Sequence, residues 1–314
     1  MKYKTLTADL LLLFVAITWG STFVIVKNAV DFLPPFSFNG VRFTLAAAFL
    51  LFVLLLFYRD VLRTINKKMI LTGSLVGVLL FGGYALQTFG LLYTTASKAG
   101  FITGLSVVMV PLFAIIFFKE QIRRQAAIGI TLATIGLLLL SVSSDWSIAY
   151  GDFLVFLCAI CYALHIIFLG KWAPRYPALA LAFIQITAAA VLNLVFALLF
   201  EDFVHLQPET LLVPDVMWAL LITAFFSTAL AFLIQTAAQK FTTPTKTALI
   251  LATEPVFAAI SGYLFAHEIL ATREWVGCLM ILLGMIVAEW KSSSERKIHA
   301  AIQNRNLAQK SHSK

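Results

Sequence analysis

Charge is what this chain has least of: of its 314 residues only 12% are Asp, Glu, Lys or Arg, while 61% are hydrophobic and the mean hydropathy is +0.94. A soluble domain carries about a quarter charged residues, so this composition excludes water as the main solvent. Cysteine is equally scarce. Cys158, Cys161 and Cys278 all fall inside apolar runs, which excludes a disulfide framework and leaves a zinc site without surrounding ligands. The C-x-x-C spacing of the first two reads as small buried residues on one helix face rather than as redox chemistry. H-E-x-x-H, G-x-S-x-G and P-loop spacings are also missing, so the chain is not read as an enzyme and ATP is not read as a direct energy source. No cofactor and no metal are expected.

What the chain has is apolar runs of about 20 residues, the length that crosses a hydrocarbon core about 30 Å thick. Ten are read, at 9–29, 36–57, 70–92, 97–118, 124–142, 151–170, 178–200, 214–237, 245–266 and 274–290. They lack the alternation of barrel strands, and backbone polar groups in lipid must be satisfied within their own segment, so each is expected to be a helix. The fold class expected is an all-α integral membrane protein with ten transmembrane helices. Lys2 and Lys4 before a leucine-rich stretch also suit a cleaved leader, but the repeat described below argues against cleavage.

Short loops carry a strong Lys and Arg bias, which chooses the orientation. With the N-terminus in the cytoplasm, the inner side collects Lys2 and Lys4, then Arg59, Arg63, Lys67 and Lys68, then Lys119, Arg123 and Arg124, then Lys171 and Arg175, then Lys240 and Lys246. The basic tail adds Lys291, Arg296, Lys297, Arg305, Lys310 and Lys314, against only Lys27, Lys98 and Arg273 outside and Arg42 within a run. The net charge of +8 is therefore a topology signal, and no nucleic-acid partner is expected because the chain has no basic soluble face. Both termini are expected in the cytoplasm and the protein in a cell membrane, with the tail lying near anionic lipid.

The two halves repeat one another. Gln87 and Gln235 stand 148 apart (235 − 87), as do Thr95 and Thr243, Lys98 and Lys246, Glu120 and Glu268, Gly129 and Gly277, and Gly136 and Gly284. Nearer the start the offset is 143 (152 − 9), pairing Asp9 with Asp152, Pro34 with Pro177 and Thr44 with Thr187. The expected organisation is a cytoplasmic N-terminus at 1–8, repeats at 9–142 and 151–290, and a basic cytoplasmic tail at 291–314. Five spans is an odd number, so the second copy is expected inverted relative to the first, enclosing a central cavity. Inverted repeats characterise secondary transporters, in which access alternates around a central site.

Two segments, TTASKAGFITGLSVVMVPLFAIIFFKEQI (94–122) and TTPTKTALILATEPVFAAISGYLFAHEIL (242–270), resemble the paired signatures of EamA-type members of the drug/metabolite transporter superfamily. Trp19 to Ser21, Arg42, and Glu254 with Pro255 fit the same resemblance, which covers residues 9–290. It implies a ten-helix basket whose cavity is lined by spans 1, 3, 4, 6, 8 and 9, with spans 5 and 10 peripheral. It also implies export of amino acids or related metabolites across an inner membrane.

An ionisable group within hydrocarbon reads as functional by default. Among the 15 acidic residues only Glu254 lies near the middle of a run, and its repeat mate is Ser106. Glu254 is expected either to hold a substrate ammonium or take up a proton, or to bond backbone freed by Pro255. Arg42 is expected either to hold a carboxylate or to snorkel to the outer interface. Its mate is Gln185. Gln87 and Gln235 offer matching amides to a substrate or to neighbouring helices. Trp19, Tyr84 and Tyr162 form a candidate aromatic wall, and His165 a candidate titrating group, each with packing as the alternative. Lys98 and Lys246 are gate or mouth candidates. Glycine pairs such as Gly100 with Gly104 and Gly129 with Gly136 are read as helix packing.

The function read is a secondary transporter for a small polar molecule within the lipid bilayer, with an exported amino acid or similar zwitterion fitting one deep acid plus one deep base. Proton coupling is open to Glu254. The alternatives are a carrier of phosphorylated or nucleotide-linked anions, which asks for more cations than Arg42 and Lys98, or a non-coupled channel. The sequence names no oligomeric partner.

Overall fold

A backbone in lipid has no water to bond, so long apolar stretches close their N–H and C=O groups inside helices. The computed structural model describes residues 2–94, 96–119, 121–141, 150–201, 207–265 and 270–289, and no strand occurs among them. In chain order the helices are α1 (Lys2–Val30), α2 (Pro35–Phe57), the short α3 (Arg59–Arg63), α4 (Lys67–Leu91), α5 (Ala96–Gly104), α6 (Ser106–Phe118) and α7 (Arg124–Ser141). After them come α8 (Tyr150–Trp172), α9 (Ala178–Phe200), the single turn α10 (Pro208–Leu211), α11 (Pro214–Ile222), α12 (Ala231–Ala238), α13 (Pro244–Leu251), α14 (Glu254–Phe265) and α15 (Thr272–Glu289). A π-helical segment, Thr223–Leu230, joins α11 to α12.

Among the described residues, eight spans are long and apolar enough to cross a membrane: Thr5–Val30, Pro35–Phe57, Lys67–Leu91, Ala99–Phe118, Tyr150–Arg175, Ala178–Phe200, Pro214–Ala238 and Pro244–Leu264. They meet the first four expected runs and the sixth to ninth. The fifth meets α7, whose apolar part Arg124–Leu139 is shorter, and the tenth meets α15, which carries Arg273, Glu274 and Glu289. The outer surface is apolar, with Leu71 73% and Phe57 71% exposed, which suits lipid rather than water. The chain is a multi-pass membrane protein. Helix α1 starts at Lys2, so the expected N-terminal tail is helical, and the expected tail 291–314 lies outside the described residues.

Local chemistry departs from ten plain spans in two ways. The fourth and ninth runs are each two helices, interrupted at Leu105 and at Ala252 and Thr253. Pro255 has no N–H for the carbonyl of Leu251 and its ring crowds that carbonyl, so the chain tightens and Thr253 N–H bonds Ile250 O at 3.1 Å instead. Leu105 N–H is shared between Phe101 O and Ile102 O at 3.2 and 3.1 Å, and Pro111 inside α6 leaves the Val107 carbonyl without its donor. The second departure is the π segment, an overwide stretch of the kind that releases backbone carbonyls.

Packing orders the bundle. Helix α7 lies on α15, α2 on α9, α4 on α8 and α9, α1 on α14 and α12, and α6 on α8. Gly136 faces Gly277 so closely that an added methyl would meet the Gly277 carbonyl oxygen at 2.6 Å, and Gly129 faces Gly284 in the same way. Pairing the earlier glycine of α7 with the later one of α15 makes the two helices antiparallel. Gly104 presses on Leu137, but Gly100 meets nothing within 4 Å and is not a packing glycine. Glu201, just past α9, accepts Phe36 N–H, Ser37 N–H and the Ser37 hydroxyl, each at 2.7 Å, and so satisfies free donors at the start of α2.

Candidate functional site

Close approach of α1 to α14 sets the site. A methyl on Gly20 would meet the Glu254 carbonyl oxygen at 2.5 Å and the Ala258 nitrogen at 2.8 Å, so only glycine lets these backbones meet. Glu254 is the first residue of α14, where Pro255 has no N–H and the Val256 and Phe257 N–H groups bond Thr253 O at 3.0 and 3.3 Å, so these donors are not offered to the carboxylate. Its carboxylate lines a cavity and accepts no hydrogen bond from any described side chain.

Arg42 reaches the same cavity and is 3% exposed, so it does not snorkel. Its Nε donates to Thr228 Oγ1 at 2.7 Å, and Nη2 donates to Ser227 Oγ at 3.2 Å and to Tyr84 Oη at 3.4 Å. The guanidinium also lies 4.8 Å from the Tyr84 ring centre. All these partners are neutral. The π segment places both hydroxyls and also frees the Ser227 carbonyl, which accepts the Trp19 indole N–H at 2.8 Å. Thr22 donates its hydroxyl to Trp19 O at 2.9 Å, so at 3.2 Å it receives the Ser227 hydroxyl proton, which leaves the Ser227 oxygen to accept from Arg42.

The repeat-related glutamines differ in their surroundings. Gln87 donates to Thr103 Oγ1 at 3.1 Å and accepts from Tyr162 Oη at 3.4 Å. At the corresponding positions beside Gln235 stand Leu251 and Trp19, and the Trp19 N–H is already spent on Ser227. Gln235 Oε1 is accordingly buried without a partner among the described residues. His165 is fixed by a chain read from its far end. Thr236 donates to Phe232 O at 2.6 Å, so its oxygen accepts Gln185 Nε2 at 3.0 Å, which turns Gln185 Oε1 toward His165 Nε2 at 2.9 Å. His165 Nε2 therefore carries the proton.

One cavity gathers Trp19, Arg42, Tyr84, Gln87, Tyr162, His165, Gln235 and Glu254. Tyr84 stands edge-on to Tyr162 at 5.7 Å, and Trp19 leans on Phe232 at 5.2 Å. Lining residues come from α1, α2, α4, α5, α6, α8, the π segment, α12, α13 and α14, while α7 and α15 contribute none. Gly100 and Ser106 also line it. Lys246 lies apart from the cavity and pairs with Asp9 at 2.7 Å, and the Lys98 side chain lies outside the described residues. Among the described residues no cluster of His, Cys, Asp and Glu is suited to a metal ion.

Compared with known families, both halves match one description, the EamA-like transporter family, at residues 6–142 and 149–289. The chain belongs to the EamA-like transporter family. This EamA-like chain is 36% identical over 284 residues to an uncharacterized transporter of Archaeoglobus fulgidus, covering 90% of this chain and 86% of that one. It is 27% identical over 293 residues to the uncharacterized transporter YyaM of Bacillus subtilis, covering 91% and 94%. A crystal structure aligns with TM-score 0.74 and 21% identity over 90% of this chain and 96% of that chain, and shares the fold. Ser227, Thr228, Thr22 and Thr103 of this EamA-like chain did not stand out in the sequence. Hydroxyls are common in apolar helices, and the π segment that aims Ser227 and Thr228 leaves no mark in the hydropathy.

Proposed function

We propose that this EamA-like protein is a secondary carrier that exports a small zwitterion, an amino acid or close relative, across a cell membrane, with both termini in the cytoplasm. The observation that carries the reading is the unbalanced chemistry of the cavity. Among the described residues a buried guanidinium has only neutral partners, the Glu254 carboxylate accepts no hydrogen bond, and the Gln235 Oε1 acceptor has no partner. Buried charge is costly unless compensated. A substrate carboxylate at Arg42, in place of the Ser227 and Tyr84 contacts, and a substrate ammonium between Glu254 and Gln235 compensate both. Glu254 exchanging that ammonium for a proton gives a route to coupling.

Size favours a small substrate over a nucleotide-linked one. The cavity offers about 80 Å³ to the centres of water molecules, where one water needs roughly 10–15 Å³. Phosphate esters also ask for more cations than Arg42 supplies.

The mechanism is alternating access by two inverted five-helix units. Three features support it: the antiparallel glycine pairs 129 with 284 and 136 with 277, which the repeat exchanges for one another; the interruptions at Leu105 and Thr253, 148 apart (253 − 105); and inter-helix contacts that come in related pairs, α1 on α14 with α8 on α6, and α1 on α12 with α8 on α4. The test is tolerance of overexpressing cells to a panel of toxic amino-acid analogues. Wild type is expected to raise tolerance to at least one zwitterion, and Glu254→Gln to lose that gain at equal protein level. A Glu254→Gln protein that protects as well as wild type contradicts the assignment.

A further inference from the structure

The cavity has a sealed end, and its seal ends in a charge pair that the site does not use. On α1 the lining residues run from Trp19 to Val26 and none lies nearer the N-terminus. Asp9 is ten residues back (19 − 9), about 15 Å along the helix. Leu12 lies between them, in an apolar cluster with Ala8, Ala238 and Ile250 in which every member is at most 3% exposed. Beside that plug, with Asp9 between its members Ala8 and Leu12 along α1, Lys246 Nζ meets Asp9 Oδ2 at 2.7 Å, with side chains 20% and 18% exposed. The pair joins α1 of the first half to α13 of the second.

The other end is built from the repeat mates. Ala8, Leu12, Ala238 and Ile250 correspond to Gly151, Val155, Gly90 and Ile102. Val155 and Ile102 pack in one cluster with Leu91 and Ala99, and a methyl on Gly151 would meet the Gly90 carbonyl oxygen at 2.5 Å. Asp152, the mate of Asp9, accepts the Thr94 hydroxyl. Lys98 is the mate of Lys246.

We propose that Asp9 and Lys246 are the latch of the cavity's sealed end, holding α1 to α13 when that end is shut and separating when it opens, with Asp152 serving the opposite end. The proposal rests on the alternating-access reading above. Burial is what suits the pair to this work. A fully buried ion pair is lost at great cost, because its partners stay out of water, and a fully exposed one holds little. At about one-fifth exposure the pair is partly shielded while closed, and opening the end hydrates both charges, so it favours the closed state and still lets go.

The test needs no substrate. A Leu12→Cys reporter is placed in full-length protein whose three native cysteines are replaced by alanine, and is labelled in proteoliposomes by an impermeant methanethiosulfonate from the side that bears the N-terminus. Asp9→Asn and Lys246→Met are each expected to raise the labelling rate about tenfold by shifting the population toward the open end. The swap Asp9→Lys with Lys246→Asp is expected to return the rate to within about threefold of the parent. Unchanged labelling in either single variant, or a well-folded swap that stays fast, overturns the proposal. A second variant pair, Asp9→Cys with Lys246→Cys, covers the case of poor folding: oxidation is expected to keep the plug shut, so that Ile250→Cys labels only after reduction, and labelling that ignores oxidation overturns the latch. If labelling follows the latch while amino-acid protection fails, the substrate reading falls and the latch stands.

Discussion

Gly20 is the residue on which the site's geometry turns, because it lets α1 touch the backbone at Glu254. Gly20→Ala drives a methyl into the Glu254 carbonyl and the Ala258 nitrogen, atoms that no rotamer change can move aside. The expected loss of stability is about 1–3 kcal/mol, the usual cost of overpacking a well-fitted contact. Thermal unfolding in detergent measures it, with Gly100→Ala as the comparison, since a methyl there meets nothing within 4 Å and no loss is expected. At this scale the sequence was informative wherever a residue broke the hydropathy. Glu254, Arg42 and the two glutamines stood out as polar atoms in apolar runs, and they share one cavity. Their partners did not stand out. Arg42 is held by Ser227 and Thr228, 185 and 186 positions away, and nothing in an apolar helix marks one hydroxyl above another.

At the scale of elements, the π segment Thr223–Leu230 does what a regular helix does not. It turns Ser227 and Thr228 together toward Arg42 and releases the Ser227 carbonyl to Trp19. The repeat mate of this stretch, residues 75–82, lies in unbroken α4 and carries Leu79 and Leu80 where the hydroxyls stand. The asymmetry of the cavity is thus built by one element. Deleting Phe226, which is 54% exposed, removes one residue from the wide turn and is expected to restore α-helical register. The expected outcome is unchanged helix content by circular dichroism and a single size-exclusion peak, with transport reduced to about a tenth or less, the fold-change of about 1.4 kcal/mol of lost positioning. Retained transport would separate the π segment from function. Neither this segment nor the interruptions at Leu105 and Thr253 was legible beforehand. In lipid both faces of a helix are apolar, so the 3.6-residue period that reports helix phase in a soluble protein is flattened, and only Pro255 hinted at a break.

At the scale of the whole molecule, the sequence was most legible in its hydropathy. Eight spans among the described residues fall on expected runs, because hydropathy averages over about 20 residues and tolerates local breaks. The repeat offsets pair Asp9 with Asp152 in the sequence, but do not say that Asp9 meets Lys246, a contact across 237 positions that only folding creates. The fifth and tenth runs were less plain, since α7 is short in apolar length and α15 carries charge at both ends, and their glycine faces serve each other rather than the cavity. A single polar cavity that takes a zwitterion and opens to each side in turn must exchange substrate across the membrane. Counterflow tests it most directly: proteoliposomes are loaded with a mixture of unlabelled amino acids and the uptake of each labelled amino acid is followed. At least one label is expected to enter several-fold faster into loaded than into empty vesicles, and Glu254→Gln to abolish this stimulation; label entering loaded and empty vesicles at the same rate, as through an open pore, rules out the carrier.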